Sequence, residues 1–489
     1  VNLPSLPDRR AAEAPAALCL SDDNAALSNA DFLDAVARAA ETLRRHRVSA
    51  GDVVAVMLPN TVDLVVTLFA AWRVGAAVTP LNPSLSNDEA GFQITDAAAK
   101  VLVVQEPRDL GVSATTITTR DLTADPCTHD AAAPSDANAL ALLIYTSGTT
   151  GRPKGVMLDH ANLNAMCRMV IDAFELTAAD HSLLVLPLFH VNGIVVGTLS
   201  PLLAGGRTTI AGRFDATTFF SRVEKCGATF FSAVPTIYTM LADLPTDQST
   251  DTSTLRFAVC GAAPASVELL DRFEKRYGVE IVEGYGLSEG ACASTGNPLR
   301  GKRKAGTVGL PLPGQRIRIA DVDGNPVPDG EAGEVLIAGP NVMRGYLNRP
   351  EDTDKTLIDG WLHTGDIGRL DEDGYLVLID RAKDMIIRGG ENIYPKEIET
   401  VAYRLPEIAE AAVVGRANPL YGEEPVMFVA ASPGSVLDIE AVREHLAALL
   451  SKYKLPVEIT VLDELPKNAV GKIDKPTLRK SVNAVAPSV

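Results

Sequence analysis

Apolar positions in the first third of the chain switch between two periods. Phe32, Leu33, Val36, Ala39, Ala40 and Leu43 recur at helical spacing and predict a helix over 31–47, with Ser28 or Asn29 placed to cap it. Gly51-Asp52 interrupts that pattern, and the apolar run 53–58 predicts a short buried strand. Pro59-Asn60 then leads into a second apolar helix near 62–73, and 101–104 reads as another strand. The runs 139–145, 182–186, 228–232, 257–260 and 280–282 repeat the strand signal with helical segments between them. Such alternation predicts an α/β fold whose mainly parallel sheets are covered by helices. Beyond about residue 305 the texture changes to short strands, 316–320, 334–338 and 374–379, separated by turns such as Asp321-Val-Asp-Gly324. A small β-rich subdomain is expected there. From Arg381 a compact α+β unit of about one hundred residues begins, within the ordinary domain range. The expected division is therefore 1–380 and 381–489.

Composition adds limits. A chain of 489 residues suits two or three structural units, and 46% apolar with 22% charged residues is an ordinary globular balance. The net charge of −17 argues against a general nucleic-acid binder, which shows a basic face. It leaves room for a nucleotide site, where a few local cations suffice. Six cysteines (Cys19, Cys127, Cys167, Cys226, Cys260, Cys292) are scattered with no C-x-x-C pair, so free thiols are expected rather than a zinc site or disulfide framework. The first ten residues have no apolar core of the signal-peptide kind. The apolar stretches near 62–80 and 183–204 are broken by Arg73 and by Asn192 and Pro201, short of the ~20 residues of a membrane span. The expected location is cytoplasmic, with no membrane span and no nucleic-acid partner.

The chemistry concentrates in five segments. Thr146-Ser-Gly-Thr-Thr-Gly-Arg-Pro-Lys-Gly155 follows the apolar strand signal 139–145. Its glycines let backbone N–H groups approach an anion, its hydroxyls donate further hydrogen bonds, and Lys154 adds a mobile positive charge, as a polyphosphate requires. No G-K-[ST] occurs, which disfavours the usual phosphate-loop ATPases and kinases. Glu283-Gly-Tyr-Gly-Leu-Ser-Glu289 places an aromatic between two glycines at a strand end, able to lie against a planar base or to be only a turn. Glu289 suits Mg²⁺, which takes one or two carboxylates plus phosphate oxygens. In Gly360-Trp-Leu-His-Thr-Gly-Asp366 the aspartate suits ribose hydroxyls, or the segment is a turn between strands. The remaining two are Asp380–Glu399 and Pro466-Lys-Asn-Ala-Val-Gly-Lys-Ile-Asp474, the latter presenting Lys472 beside a glycine.

In order and spacing these segments resemble the adenylate-forming superfamily, which includes acyl-CoA synthetases, peptide-synthetase adenylation domains and firefly-type luciferases. The resemblance covers nearly the whole chain. It implies a large N-terminal adenylation domain and a mobile C-terminal domain. Thr146, Ser147, Gly148, Thr149, Thr150 and Lys154 correspond to the phosphate loop. Tyr285, with Gly284, Gly286 and Ser288 around it, is implied to stack on adenine beside Gly261, Ala262 and Ala263. Glu289 is implied to bind Mg²⁺, and Asp366 and Arg381 to hold the ribose. Lys383 falls at the hinge, Gly389 and Gly390 match glycines lining a pantetheine channel, and Lys472 matches the lysine bridging the acyl carboxylate and the α-phosphate. His190 matches a residue between the ATP site and an acyl pocket formed with Asn192, Gly193, Val234 and Gly284. Two departures are Ser288, where threonine is commoner, and Asp380 in place of a glycine before Arg381.

The implied reaction uses ATP, Mg²⁺ and coenzyme A. A carboxylate attacks the α-phosphorus, pyrophosphate leaves, and a thiol then displaces AMP from the acyl-adenylate. The wording Ile386–Glu399 resembles the fatty-acid and aryl-acid CoA ligases. Similar enzymes acting on malonate place an arginine where this chain has Gly284, so an apolar monocarboxylic acid is expected. Segments Gly212-Arg-Phe214 and Lys302–Gly309 also echo oxalate ligases, which keeps a small diacid as an alternative. Loading of a carrier protein and an inactive nucleotide-binding scaffold of the same fold are the others.

Overall fold

A computed structural model of the chain describes residues 2–123, 133–146, 152–245, 250–262, 265–381, 384–389, 391–432, 434–467 and 472–483. The chain forms two compact units. One comprises Val1–Ile317, Leu336–His363 and Gly374–Leu376; the other comprises Arg318–Val335, Thr364–Asp373 and Val377–Val489.

The larger unit holds two sheets. The nine-stranded sheet runs, edge to edge, Leu310–Pro311, Thr295–Gly296, Ile281–Tyr285, Phe257–Cys260, Phe230–Ala233, His181–Leu184, Arg207–Ile210, Leu18–Ser21 and Ala26–Ser28. Its five central strands, from Ile281–Tyr285 to Arg207–Ile210, are parallel to one another, as the alternating pattern predicts. Register brings Phe230 opposite Phe257, with rings stacked at 5.2 Å. The seven-stranded sheet runs Gly345–Tyr346, Lys154–Asp159, Leu140–Thr146, Ala77–Pro80, Val53–Met57, Val101–Val104 and Thr115–Thr118.

Helix ends follow local chemistry. Asn29–Arg45 starts two residues before its apolar stripe because Ser28 and Asp31 form a reciprocal capping box. Val62–Arg73 is buried along its whole length, and its one cation, Arg73, forms a bidentate pair with Asp8 at 2.7 and 2.9 Å. The expected strand at 228–232 lies instead at Phe230–Ala233. Helix Ala216–Cys226 ends on Gly227 in the left-handed region, and two residues then lead into the strand. Gly278 caps Val267–Tyr277 in the same way, so Ile281–Tyr285 begins later and runs further than the expected 280–282.

The smaller unit contains a five-stranded sheet ordered Glu391–Ile393, Ile386–Arg388, Gly422–Ala431 and Ile408–Asn418, with Glu458–Val461 parallel to Gly422–Ala431. Ile398, Val401, Val413, Met427, Val429, Val442 and Leu446 form its core beneath helices Pro395–Ala402 and Ile439–Leu449. Helix Lys475–Asn483 packs Leu478 with Val414, Val426 and Phe428. The strand Trp361–Leu370 runs straight through the segment that the sequence left open as a possible turn. Gly365, at φ 68°, breaks the extended conformation there without ending the strand. Among the described residues no helix is long and apolar enough to cross a membrane.

Candidate active site

Strand Leu140–Thr146 and strand Lys154–Asp159 form an antiparallel pair that places Thr146 opposite Lys154. Both candidate phosphate-site residues therefore stand at one end of the seven-stranded sheet. Ser147, Gly148, Thr149 and Thr150 lie outside the described residues, as do Ala263, Lys383 and Gly390. Lys154 Nζ is 3.2 Å from Asp352 Oδ2 and 5.0 Å from the centre of the Tyr346 ring. Tyr346, opposite Val156 on the edge strand, donates its hydroxyl proton to Glu289 Oε1 at 2.8 Å. Burial, reinforced by the Glu289 charge, raises the Tyr346 pKa and keeps the phenol a donor. Glu289 sits in the single turn Ser288–Gly290, whose carbonyls accept from Met343 N–H and the Asn341 amide at 2.8 Å. A carboxylate fixed through one oxygen suits a hard cation that completes its shell with phosphate oxygens, so the residues present fit Mg²⁺.

Tyr285 ends its strand as a buried side chain, paired with Thr295, while Gly284 pairs with Gly296. A Cβ at Gly286 would lie 1.9 Å from the Cys292 carbonyl oxygen, so only glycine fits there. The parallel register Cys260–Glu283 continues to Gly261 beside Gly284, whose carbonyl oxygen lies 3.3 Å from where a Gly261 Cβ would be. Gly284 and Gly296 thus lie opposite each other on adjoining strands, with Gly261 just past the end of the next strand. Gly284 also has a packing reason of its own, because its Cβ would sit 3.0 Å from the Thr295 carbonyl oxygen. Ala262 adopts φ 66°, and Gly261 N–H reaches the Ala233 carbonyl at 3.3 Å, which brings the sheet end next to Val234, the residue before helix Pro235–Ala242.

His190 precedes the short helix Val191–Ile194, with its ring 4.6 Å from that of Phe189. A Cβ at Gly193 would lie 2.4 Å from the Pro187 carbonyl oxygen, so glycine closes this loop. The Cys292 thiol, near Asn192 and Cys167, is pushed up to about 12, chiefly by burial. Two of the four cations in the segments that echo oxalate ligases have structural partners: Arg303 pairs with Glu280 at 2.8 Å, and Lys304 lies 4.8 Å from the Tyr375 ring centre.

In the smaller unit Asp366 is buried and Arg381 Nε reaches its Oδ1 at 3.0 Å. Thr364 Oγ1 accepts the Asp366 N–H at 3.0 Å, and Glu334 accepts that of Gly365 at 2.9 Å. Lys472 belongs to the same cluster. Its pKa is lowered, first by desolvation and then by the Arg381 charge, against an opposing pull from Asp366. Asp366, Arg381 and Lys472 are therefore brought together from segments more than a hundred residues apart at the extremes, Asp366 to Lys472. Gly389, at φ 59°, donates its N–H to the Tyr421 carbonyl at 2.7 Å. Asp380, expected only as an oddity before Arg381, uses its carboxylate to accept the backbone N–H groups of Arg381 and Lys396 at 2.7 and 2.8 Å.

Tyr346 and Asp352 were not anticipated from the sequence. Their signal was present in Gly345-Tyr-Leu-Asn-Arg-Pro350, a glycine–aromatic step followed by proline at a helix start with acids in the first turn.

Helix-covered, mainly parallel sheets followed by a second, smaller α+β unit set the class of fold. Residues 7–347 match the AMP-binding enzyme family and 397–472 match the AMP-binding enzyme C-terminal domain. The chain belongs to the AMP-binding enzymes. It is 38% identical to a feruloyl-CoA synthase of Amycolatopsis sp over 486 residues, covering 98% of this chain and 99% of that one. It is 37% identical to an indoleacetate–CoA ligase of Aromatoleum aromaticum, covering 97% of each. ATP-bound MatB from Rhodopseudomonas palustris superposes with TM-score 0.92 at 32% identity, covering 98% and 99% of the two chains. An o-succinylbenzoate CoA synthetase of Bacillus subtilis holding its acyl-adenylate intermediate gives 0.90 at 30%, covering 97% and 98%. The chain is an AMP-forming acid–thiol ligase that uses ATP, Mg²⁺ and coenzyme A to convert a carboxylic acid to its CoA thioester.

Proposed function

We propose that the acid is an apolar monocarboxylic acid, with planar aryl acids of the hydroxycinnamate kind preferred. The observation that carries this is Gly284, paired with Gly296 on the next strand and flanked by Gly261 and Val234 at the sheet end, a stretch whose own residues carry no cation for a second carboxylate. Glycines at these positions would leave a flat ring room along the backbone and offer no charged partner for a second carboxylate. The feruloyl-CoA synthase and indoleacetate–CoA ligase relatives support the same class by name.

The site residues divide the work. Lys154 would exchange Asp352 for the β- and γ-phosphates, while Thr146 and its loop give hydrogen bonds to them. Tyr285, with Gly261, Ala262, Ala263, Gly286 and Ser288, would hold the adenine, and Asp366 with Arg381 the ribose. Mg²⁺ on Glu289 supplies charge neutralisation at the phosphates. Lys472 would place its ammonium between the attacking carboxylate and the α-phosphate, two anions whose approach depends on charge neutralisation and alignment. His190 would separate the nucleotide from the acyl group. The thiol step no longer needs Lys472, and a swing at Lys383 dividing 1–380 from 381–489 would bring Gly389 and Gly390 to the pantetheine arm. The five described cysteines are free, which supports a reducing, cytoplasmic location.

The test is AMP formation from ATP and Mg²⁺ with ferulate, cinnamate, benzoate, octanoate, palmitate, oxalate and malonate, with and without CoA. Aryl acids should give the highest kcat/KM and a CoA-dependent thioester. Gly296 has room, since its Cβ would meet only a Leu312 methyl at 3.6 Å. Gly296→Leu should therefore depress ferulate turnover far more than acetate turnover. Preference for oxalate or malonate would overturn the assignment.

A further inference from the structure

The loop that presents Lys472 is pinned at its base. Asp474 N–H reaches the Pro466 carbonyl at 2.7 Å, and Lys467 pairs antiparallel with Ile473. The chain then enters helix Lys475–Asn483 at once, with Asp474 accepting the Thr477 hydroxyl at 2.7 Å. The position of Lys472, three residues before Lys475, therefore depends on what holds the first turn of that helix.

Two ion pairs one helical turn apart do so. Lys475 Nζ lies 2.8 Å from Glu399 Oε1, with the two side chains 17% and 13% exposed. Arg479 reaches Asp384 at 3.4 Å on the same helix face. Glu399 also accepts the Val413 N–H at 2.7 Å, so it is fixed to the sheet. Burial opposes the Lys475 charge, but Glu399, Asp380 and Asp384 together more than offset it. Asp380 precedes Arg381 and holds that residue's N–H, and Arg381 in turn holds Asp366. One buried charge cluster thus links the Lys472 loop to the Asp366–Arg381 pair.

We propose that Lys475 is a positioning residue for acyl-adenylate formation: through Glu399 and Asp380 it sets where Lys472 stands. The proposal rests on Lys472 being the adenylating lysine. A mobile lysine head is useful only if its loop is fixed, and misplacement by about 1 Å can slow chemistry about 100-fold. A purely structural ion pair would affect both half-reactions together. A positioning role affects only the one that uses Lys472.

The experiment compares Lys475→Met, Lys475→Arg, Lys472→Ala and the Lys472→Ala/Lys475→Met pair, using the acid most active in the panel above. ATP–pyrophosphate exchange reads adenylation. Conversion of preformed acyl-adenylate and CoA to thioester reads the second step, and thermal melting reads the fold. Lys475→Met should lower exchange about 10- to 100-fold, leave thioester formation within about twofold, and be largely rescued by arginine. Added to Lys472→Ala it should cost almost nothing further, since residues acting as a unit are not additive. If Lys475→Met folds poorly, Glu399→Gln/Lys475→Met removes the stranded carboxylate and should regain melting temperature without regaining exchange. Normal exchange in Lys475→Met, or parallel loss of both steps, overturns the proposal while Lys472 keeps its role. Normal exchange in Lys472→Ala overturns both.

Discussion

The Tyr346 side chain joins Lys154 to Glu289: its ring lies 5.0 Å from the lysine ammonium and its hydroxyl donates to the carboxylate at 2.8 Å. One aromatic residue thus contacts both the cation proposed for the phosphates and the carboxylate proposed for the metal. Tyr346→Phe keeps the ring and removes the donor, a hydrogen bond to a charged group worth ~1.5–3 kcal/mol. The Mg²⁺ concentration for half-maximal AMP formation should rise about tenfold, and calorimetry should show weaker MgATP binding with metal-free ATP little affected. An unchanged Mg²⁺ requirement would remove Tyr346 from this role.

Asp352 pairs with Lys154 at 3.2 Å, so in the proposed phosphate role of Lys154 it would compete with nucleotide for that cation. The pair is partly solvated and is worth roughly 1 kcal/mol or less. Asp352→Asn should therefore lower the KM for ATP by a few-fold, more at low salt, with kcat nearly unchanged. A raised KM would mean that Asp352 helps bind nucleotide.

The lowered pKa of Lys472, set by desolvation and by the neighbouring Arg381, has a kinetic signature. The ammonium must be protonated to neutralise charge, so kcat/KM for adenylation should fall as pH rises through a value below that of an ordinary lysine. Lys472→Arg should abolish this alkaline limb at a lower plateau, because arginine stays charged throughout.

His181 provides a stability test. Arg207 Nε donates to its Nδ1 at 3.0 Å and Thr209 Oγ1 lies 2.8 Å from Nε2, an arrangement for a neutral ring. Burial first, and Arg207 second, bring its pKa down to about 4. The unfolded chain binds this proton near pH 6.5 and the folded chain does not, so stability is full above that pH and is lost as pH falls toward 4. Melting temperature should drop across that window, and His181→Gln should flatten part of the drop.

The loop Pro187–Gly193 permits no side chain at Gly193, where a Cβ would lie 2.4 Å from the Pro187 carbonyl oxygen. Gly193→Ala should displace His190 and cut kcat/KM for the acid by about tenfold or more, as small misplacements do. The KM for ATP should stay near its original value.

The fold was legible wherever local chemistry decides. Strands Val101–Val104 and Phe257–Cys260 match their expected limits because short buried apolar runs carry that signal. The lesson of Phe230–Ala233 and Ile281–Tyr285 is that a glycine cap uses residues before the next strand can begin. In the site, Lys154, Glu289, Asp366, Arg381 and Lys472 stand out by type within their motifs. Tyr346, Asp352 and Lys475 do not, since a tyrosine, an aspartate and a lysine acquire meaning only through partners at long range. Lys475 meets Glu399 across 76 positions of sequence, and no periodicity reports that contact. Gly284 teaches the reverse: it was read as the absence of an arginine, yet the Thr295 carbonyl at 3.0 Å already favours glycine there.

The most direct measurement is a competition in which ferulate, octanoate and oxalate at equal concentration share limiting ATP, Mg²⁺ and CoA, with the thioesters resolved by mass. The acyl slot proposed beside Gly261, Gly284 and Gly296 should give feruloyl-CoA as the dominant product, with AMP in equal amount. Oxalyl-CoA in excess would contradict the reading of that slot.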